Sequence, residues 1–310
     1  MRKKILMAAD ASMYSRKAME YAAQLAEAVT SVDFALLHIQ PQISQYLTDE
    51  AARVPKVKKE VEKVKAKNKQ ASLELLEECK SFLVSRGIDA GCVALESHSR
   101  DRGIAEDILK MAEDRSFDAI IVGRRGLSGL QELFMGSVTT NLLNRSRVIP
   151  VWVVGGPCKS DRVLAAVDGS SQSLRVVDHL AYIFSGNPDV RFTFLNVEPL
   201  LKDVCEIDLG PAESAELEAA LLDANEKCIS GFASQARAMF QKAGFAADRI
   251  SFESLKKQLF TGKTIADYAR QGDYGTVVIG KTGSGGSSDL GKVARYLIQK
   301  LSDRTVWVVP

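Results

Sequence analysis

Three glycines and a serine form the part of this chain best suited to chemistry. The stretch runs Ala119-Ile-Ile-Val-Gly123-Arg-Arg-Gly126, nine further residues, then Gly136-Ser137-Val138-Thr139. A short apolar run delivers the backbone to a glycine turn, and a later glycine opens a helix beside a hydroxyl residue. That layout suits an anion. Glycines let main-chain N–H groups approach a phosphate closely, and the start of a helix offers unpaired donors at the positive end of its dipole. Arg124 and Arg125 lie in the same loop and can add charge-assisted bonds. Two standard nucleotide loops are excluded: no lysine follows Gly136, as G-x-x-x-x-G-K-[ST] requires, and the glycine spacing is not G-x-G-x-x-G.

The elements that position this loop occur twice. A length of 310 residues points to about two domains, and the sequence repeats itself. Lys4-Ile-Leu-Met-Ala-Ala-Asp10-Ala-Ser12 matches Arg162-Val-Leu-Ala-Ala-Val-Asp168-Gly-Ser170. Phe34–Pro41 matches Phe192–Pro199, Ile120–Gly123 matches Val277–Gly280, and Val151–Val154 matches Val306–Val309. The offset falls from 158 residues at the first pair to 155 at the last, so the second copy carries small deletions. The turn-rich segment Gly155-Gly-Pro-Cys-Lys-Ser160 marks the boundary, giving domains over 1–156 and 157–310.

Each copy alternates short apolar strands with amphipathic helices. Strands are expected near 3–9, 33–40, 90–96, 118–123 and 150–154, then near 161–168, 191–198, 249–255, 275–280 and 305–309. Helices are expected near 15–29, 56–86, 102–115 and 137–146, then near 172–184, 213–243, 262–271 and 291–302. The strands are mostly continuous Val/Ile/Leu runs, the pattern of a parallel sheet buried on both faces. Strand–helix alternation predicts an α/β fold of two tandem doubly wound parallel sheets, five strands each, flanked by helices. Ligands of such sheets bind beyond the carboxyl ends of the strands, where the strand order reverses. Asp10, Ile39 and Gly123 all fall at or just past expected strand ends, so three separate segments converge on one edge.

Composition closes off other classes. No eighteen-residue apolar stretch occurs, so no membrane span is expected. The opening Met1-Arg-Lys-Lys-Ile-Leu-Met reads as a first strand, because its apolar run stops at Asp10, too early for a signal peptide. The five cysteines form no C-x-x-C pair and are odd in number, which fits a reduced, cytoplasmic protein. A net charge of +2 gives no electrostatic case for nucleic acid. Lys56 to Lys69 is a dense charged run with Val57, Val61 and Val64 at i, i+4, i+7, and reads as a solvated amphipathic helix. His38, His98 and His179 are scattered and read as polar residues of the core or its edge. No motif marks a nucleophile–base pair or a pair of catalytic carboxylates, and none marks a metal site.

Two near-motifs read as helix starts. Gly286-Ser-Ser-Asp-Leu-Gly291-Lys292-Val293 is one residue short of a Walker loop and has valine where Ser/Thr would hold magnesium; Gly262-Lys-Thr264 has that motif's tail, but Lys257 stands where its first glycine belongs. The second copy of the glycine loop is degenerate. It reads Gly280-Lys-Thr-Gly283, seven residues, then Gly291-Lys292, so the hydroxyl at the helix start is replaced by lysine.

The order of elements, the aspartate ending the first strand, and Gly123-x2-Gly126-x9-Gly136-Ser137 together resemble a tandem member of the universal stress protein (UspA-like) family, across essentially the whole chain. The resemblance implies an adenine nucleotide alpha hydrolase-like fold and a cytoplasmic stress-response protein that binds ATP or AMP, with magnesium entering alongside ATP. It maps an adenine pocket onto Ala8, Asp10, Ile39 and Val122, and phosphate contacts onto Gly123, Arg125, Gly126, Gly136, Ser137 and Val138. The corresponding set in the second copy is Asp168, Val197, Gly280, Gly283 and Gly291. Asp10 and Asp168, each followed two residues on by a serine, read equally well from residues alone as acceptors for a ligand or as turn and cap residues; the resemblance favours the ligand. It also implies pairing through the last strands, as an intramolecular pseudo-dimer or a homodimer. The resulting expectation is a nucleotide-binding regulator rather than a committed enzyme, with at most slow ATP hydrolysis. A stress protein holding another small ligand, a scaffold without nucleotide, and a weak ATPase are the alternatives.

Overall fold

A computed structural model describes residues 2–125, 135–156, 162–187, 189–201, 211–256, 260–283 and 289–310. Gly126, within the expected phosphate loop, lies outside them, as do Gly286, Ser287 and Ser288 of the first near-motif. The chain divides into two compact units, Met1–Glu27 with Ser31–Val154, and Ala28–Thr30 with Gly155–Pro310.

The first unit runs β1 (Lys3–Ala8), α1 (Met13–Ala28), β2 (Val32–Gln40), α2 (Gln45–Arg53), α3 (Pro55–Ser85), β3 (Val93–Ser99), α4 (Ile104–Asp114), β4 (Ala119–Gly123), α5 (Ser137–Arg145) and β5 (Val151–Val154). Its strand order is β3-β2-β1-β4-β5, with parallel pairing at each step. The second unit runs β6 (Arg162–Ala166), α6 (Ser171–Ile183), β7 (Arg191–Glu198), α7 (Pro211–Lys242), β8 (Ile250–Lys256), α8 (Thr261–Gln271), β9 (Thr276–Gly280), α9 (Lys292–Lys300) and β10 (Thr305–Val309). Its order, β8-β7-β6-β9-β10, repeats the first and is again parallel.

The central strands are apolar because helices cover both faces. Leu6, Leu36, Ile120 and Trp152 in the first unit, and Leu164, Phe194, Val277 and Trp307 in the second, expose none of their surface. The second core is richer in aromatic rings: Phe192 packs at 4.8 Å from Phe240, and Phe194 stacks at 5.0 Å on Phe252. In each unit the order reverses at the first strand, which is flanked on one side by the strand after it and on the other by the fourth. Helices leave the sheet in opposite directions there and open a crevice at its carboxyl edge.

Three details differ from the sequence expectation. β3 starts at Val93 rather than near residue 90, because a 3-10 turn fills Ala90–Cys92, with the Asp89 carboxylate accepting the Gly91 amide at 2.7 Å. β8 is preceded by a similar turn at Ala247–Arg249. The short helix α2, all of it outside the core, had no periodic apolar signal to announce it.

His179, on α6, is buried, with its ring at 5.7 Å from Trp307, and burial depresses its pKa to about 3. The unfolded chain holds this histidine near the ordinary value of about 6.5. Stability from the neutral ring is therefore complete above that value and is lost as pH falls towards the folded one, by about 1.4 kcal/mol per pH unit. Urea unfolding followed through Trp307, in a Trp152→Phe background, should show this slope below about pH 6 and a flatter one in His179→Leu. Equal slopes would contradict the assignment.

Candidate functional site

The carboxyl edge of the first sheet holds a cavity of about 390 Å³. Ala8 ends β1 with Ala9 and Asp10 just after it, Leu37 to Pro41 close β2, Val122 and Gly123 end β4, and Gly136 to Thr139 begin α5. Arg125 flanks the β4 side, Arg100 follows β3, and Ile104 and Ile108 of α4 complete the wall. The structure thus brings nine of the expected residues around one space: Ala8, Asp10, Ile39, Val122, Gly123, Arg125, Gly136, Ser137 and Val138.

The aspartate has both of the roles its sequence left open within reach. The Ser12 amide donates to Asp10 Oδ1 at 3.0 Å, and the Ser15 amide donates to Ser12 Oγ at 3.1 Å, so Asp10 builds the turn and Ser12 caps α1. The other carboxylate oxygen of Asp10 has no hydrogen bond among the described residues and belongs to a cavity-lining side chain.

Gly123 is required by packing. A Cβ there would fall 2.7 Å from the carbonyl carbon and oxygen of Tyr14, at a distance no side chain tolerates. α1 therefore rests its first turn on the end of β4. Gly136 differs. Its φ of −60° and ψ of 147° are open to any residue, so its backbone conformation does not demand glycine.

The start of α5 is fixed to β4 by two bonds. The Gly136 amide donates to Arg124 O at 3.0 Å, and Thr139 Oγ1 donates to Gly123 O at 2.9 Å. Among the described residues no side-chain cap bond closes the helix start. The amides of Ser137, Val138 and Thr139 thus begin a helix without intrahelical acceptors, at the cavity wall. Of the two loop arginines only Arg125 faces this space. Its Nη1 reaches Tyr14 OH at 3.4 Å, and its guanidinium lies 5.6 Å over the Tyr14 ring. Arg124 is buried, away from the cavity wall, and its pKa is lowered by that burial and by Arg125. Its expected part in anion binding passes to its main chain, which holds Gly136.

A polar chain on the β2–β3 side was not read from sequence. Gln40 Nε2 donates to Ser97 Oγ at 2.9 Å, Ser97 Oγ donates to Ser72 Oγ at 2.7 Å, and Ser72 Oγ lies 2.8 Å from His38 Nδ1. Burial lowers the His38 pKa, with Asp10 opposing the shift, so the ring is neutral at pH 7. Ser72 comes from α3, far along the chain, and only the polar residues at His38 and Gln40 in an otherwise apolar strand hinted at the chain.

The second unit keeps the frame and engages its aspartate more fully. The Asp168 amide donates to Ser173 Oγ at 3.0 Å, as that of Asp10 does to Ser15, and the Gly291 amide donates to Lys281 O at 2.9 Å, as that of Gly136 does to Arg124. Asp168 Oδ1, however, accepts from the Ser170 amide at 3.1 Å, Ser170 Oγ at 2.5 Å and Ser173 Oγ at 2.8 Å. Gly283 packs against the other oxygen: a Cβ there would meet Asp168 Oδ2 at 3.2 Å. Gly291 precedes α9 beside the Lys281 carbonyl, Gly280 ends β9, and Val197 sits near the end of β7. The near-motif at Gly262 begins α8, where glycine makes room for the Tyr296 ring.

Against known proteins, the model of the universal stress protein family matches residues 1–155 and again 159–310. This chain therefore belongs to the universal stress protein family, as a tandem of two copies. It is similar to a universal stress protein, YxiE, of Bacillus subtilis, 27% identical over 151 residues, covering 49% of this chain and 97% of that one. Among solved structures it is similar to a universal stress protein from Archaeoglobus fulgidus, with TM-score 0.63 and 18% identity over 99% of this chain and 97% of that one. A structure titled as a universal stress protein of Pseudomonas aeruginosa matches at TM-score 0.55 and 17% identity over 99% and 93% of the two chains. These likenesses establish the adenine nucleotide alpha hydrolase-like fold. Among the described residues no helix is long and apolar enough to cross a membrane, and no group of acidic, histidine and cysteine side chains could hold a metal.

The two glycines give separable outcomes. Gly123→Ala should lower the stability of the first unit by roughly 1–3 kcal/mol, the cost of forced overpacking, with no ligand present. Gly136→Val should leave the melting temperature of the unliganded protein close to wild type. Differential scanning calorimetry distinguishes the pair, and a neutral Gly123→Ala would refute the packing role.

Proposed function

We propose that the first unit binds an adenine nucleotide, ATP or AMP, and that the protein acts as a nucleotide-responsive regulator in a stress response rather than as a dedicated catalyst. The observation that carries this reading is the pairing, in one cavity, of an apolar slot with an uncapped helix start. Ile39, Val122 and Ile104 offer a surface for a flat base, and the free oxygen of Asp10 offers an acceptor for a ribose hydroxyl or an amino group. The amides at the head of α5 and the Arg125 guanidinium offer donors for phosphate. The volume of about 390 Å³ is within the range of roughly 300–1,000 Å³ usual for small-molecule sites. Membership of the family supports the same reading.

Among the described residues Asp10 is the one carboxylate lining the cavity, and it stands just past the end of β1, which this reading gives to the nucleoside. Phosphoryl transfer needs a base or water-positioning group beside the phosphates; the loop acid Glu132 lies outside the described residues. Retention of nucleotide with slow turnover at most is the chemistry this wall favours. The second unit, with its aspartate committed and Gly283 against it, is proposed to bind nucleotide weakly or not at all.

Isothermal titration with ATP and AMP, with and without magnesium, should give about one site per chain. Gly136→Val should weaken binding at least tenfold, and Ser137→Ala should cost on the order of 1 kcal/mol, the scale of one hydrogen bond. Asp10→Asn should weaken binding where Asp168→Asn does not. Absence of heat and of thermal shift at millimolar nucleotide would overturn the proposal.

A further inference from the structure

The two long helices carry an unexplained feature in common. Only the C-terminal part of α3 packs on the sheet, through Ser72, Leu76, Cys79 and Leu83; before it, from Pro55 to Ala71, Val61 alone is buried. In α7 no residue from Ser214 to Gly231 is buried, and the core begins at Phe232. Each unit therefore carries a long, mostly exposed stretch of helix: in α3 it has α2 beside it and Val61 covered, and in α7 it ends where Cys228 reaches Gly169 O at 3.9 Å.

Both stretches are amphipathic. α3 carries Val57, Val61 and Val64 at i, i+4, i+7; Val61 is already buried, Val57 is half-buried and Val64 is 46% exposed. α7 presents Leu217, Leu221 and Ala224 at the same spacing, and Leu217 is 46% exposed. Such stripes pay for their exposure only when another helix covers them.

Their charges are opposite. Lys56 to Lys69 holds seven lysines and two glutamates, while Ser214 to Lys227 holds four acids and one lysine. Some of these pair locally: Lys63 with Glu60 at 2.7 Å, Lys65 with Glu62 at 2.8 Å, and Lys227 with Asp223 at 2.6 Å. Lys58, Lys59, Lys67 and Lys69, and Glu216, Glu218 and Glu226, have no ion-pair partner among the described residues. The first turn of α3 carries no acid and its N-terminal half is loaded with lysine, against the helix dipole. An acidic helix alongside would relieve that conflict.

We propose that the basic N-terminal half of α3 docks on the acidic N-terminal half of α7 of a second copy of this chain. The exposed apolar residues, Val64 on α3 and Leu217 on α7, form the contact and the unpaired charges flank it, as e and g positions flank a coiled-coil seam. Flanking charges make the association specific for its orientation and sensitive to salt. This surface is independent of the nucleotide cavity.

Analytical ultracentrifugation of the full chain tests the pairing. The wild type should self-associate at about 20 mM salt and dissociate at about 1 M, where the screening length is roughly 3 Å. Lys58→Glu with Lys59→Glu and Lys67→Glu should give a monomer, and so should Glu216→Lys with Glu218→Lys and Glu226→Lys. All six positions are exposed, so neither variant loses core packing. Mixing the two variants should restore association, because each then offers the complement of the other. A wild type that stays monomeric at low salt overturns the proposal and leaves the α3 lysines to another acidic partner. An assembly indifferent to both reversals, as one built on strand edges would be, overturns it equally.

Discussion

One backbone hydrogen bond sets the geometry on which the site depends: the Gly136 amide to the Arg124 carbonyl, 3.0 Å. It closes the loop between β4 and α5 at its base, whatever the loop contains. The first turn of α5 is thereby held at the carboxyl edge of the sheet, with its free amides beside the ends of β1 and β2. Thr139 repeats the tie from the helix side, and Gly123 lets α1 lean on the same point. The proposed anion site at this edge thus rests on the main chain first, with Arg125 adding charge beside it.

The second unit shows what that frame does without its contents. Gly291 to Lys281 reproduces the bond at 2.9 Å although the loop is two residues shorter. The frame has tolerated deletion, because a backbone bond asks nothing of the side chains. What changed is the surroundings of the aspartate: three donors gather on Asp168 Oδ1, and a Cβ at Gly283 would meet its other oxygen at 3.2 Å. The two units thus share one fold and differ in how their equivalent aspartates are engaged.

Much of this was legible in the sequence, and the limits have physical causes. Continuous apolar runs announced the ten strands, most within two residues of their ends, because a strand buried on both faces has no polar positions to blur it. β3 was misplaced at its start because Asp89 diverts the chain into a 3-10 turn, a local capping bond with no periodicity. The loop spacing and the resemblance pointed to residues that gather around one cavity, but their packing was not legible. Gly123 was read for phosphate alone, and it also makes room for the Tyr14 backbone. Arg124 and Arg125 looked alike; successive side chains diverge, and burial of the first is decided by packing that no local pattern encodes. The chain from Gln40 through Ser97 and Ser72 to His38 joins three elements and had no contiguous signal.

The central claim is that nucleotide occupies the first crevice and leaves the second empty. Photolabelling with 8-azido-ATP, followed by peptide mapping, reads this most directly, since the azide reacts where the base sits. The account predicts label on peptides containing Val32–Gln40, Ile104–Asp114 or Ala119–Gly123, suppressed by excess ATP and lost in Gly136→Val. ATP-protected label on Arg191–Glu198 or Thr276–Gly280 of the second unit, or label that survives Gly136→Val, would contradict it.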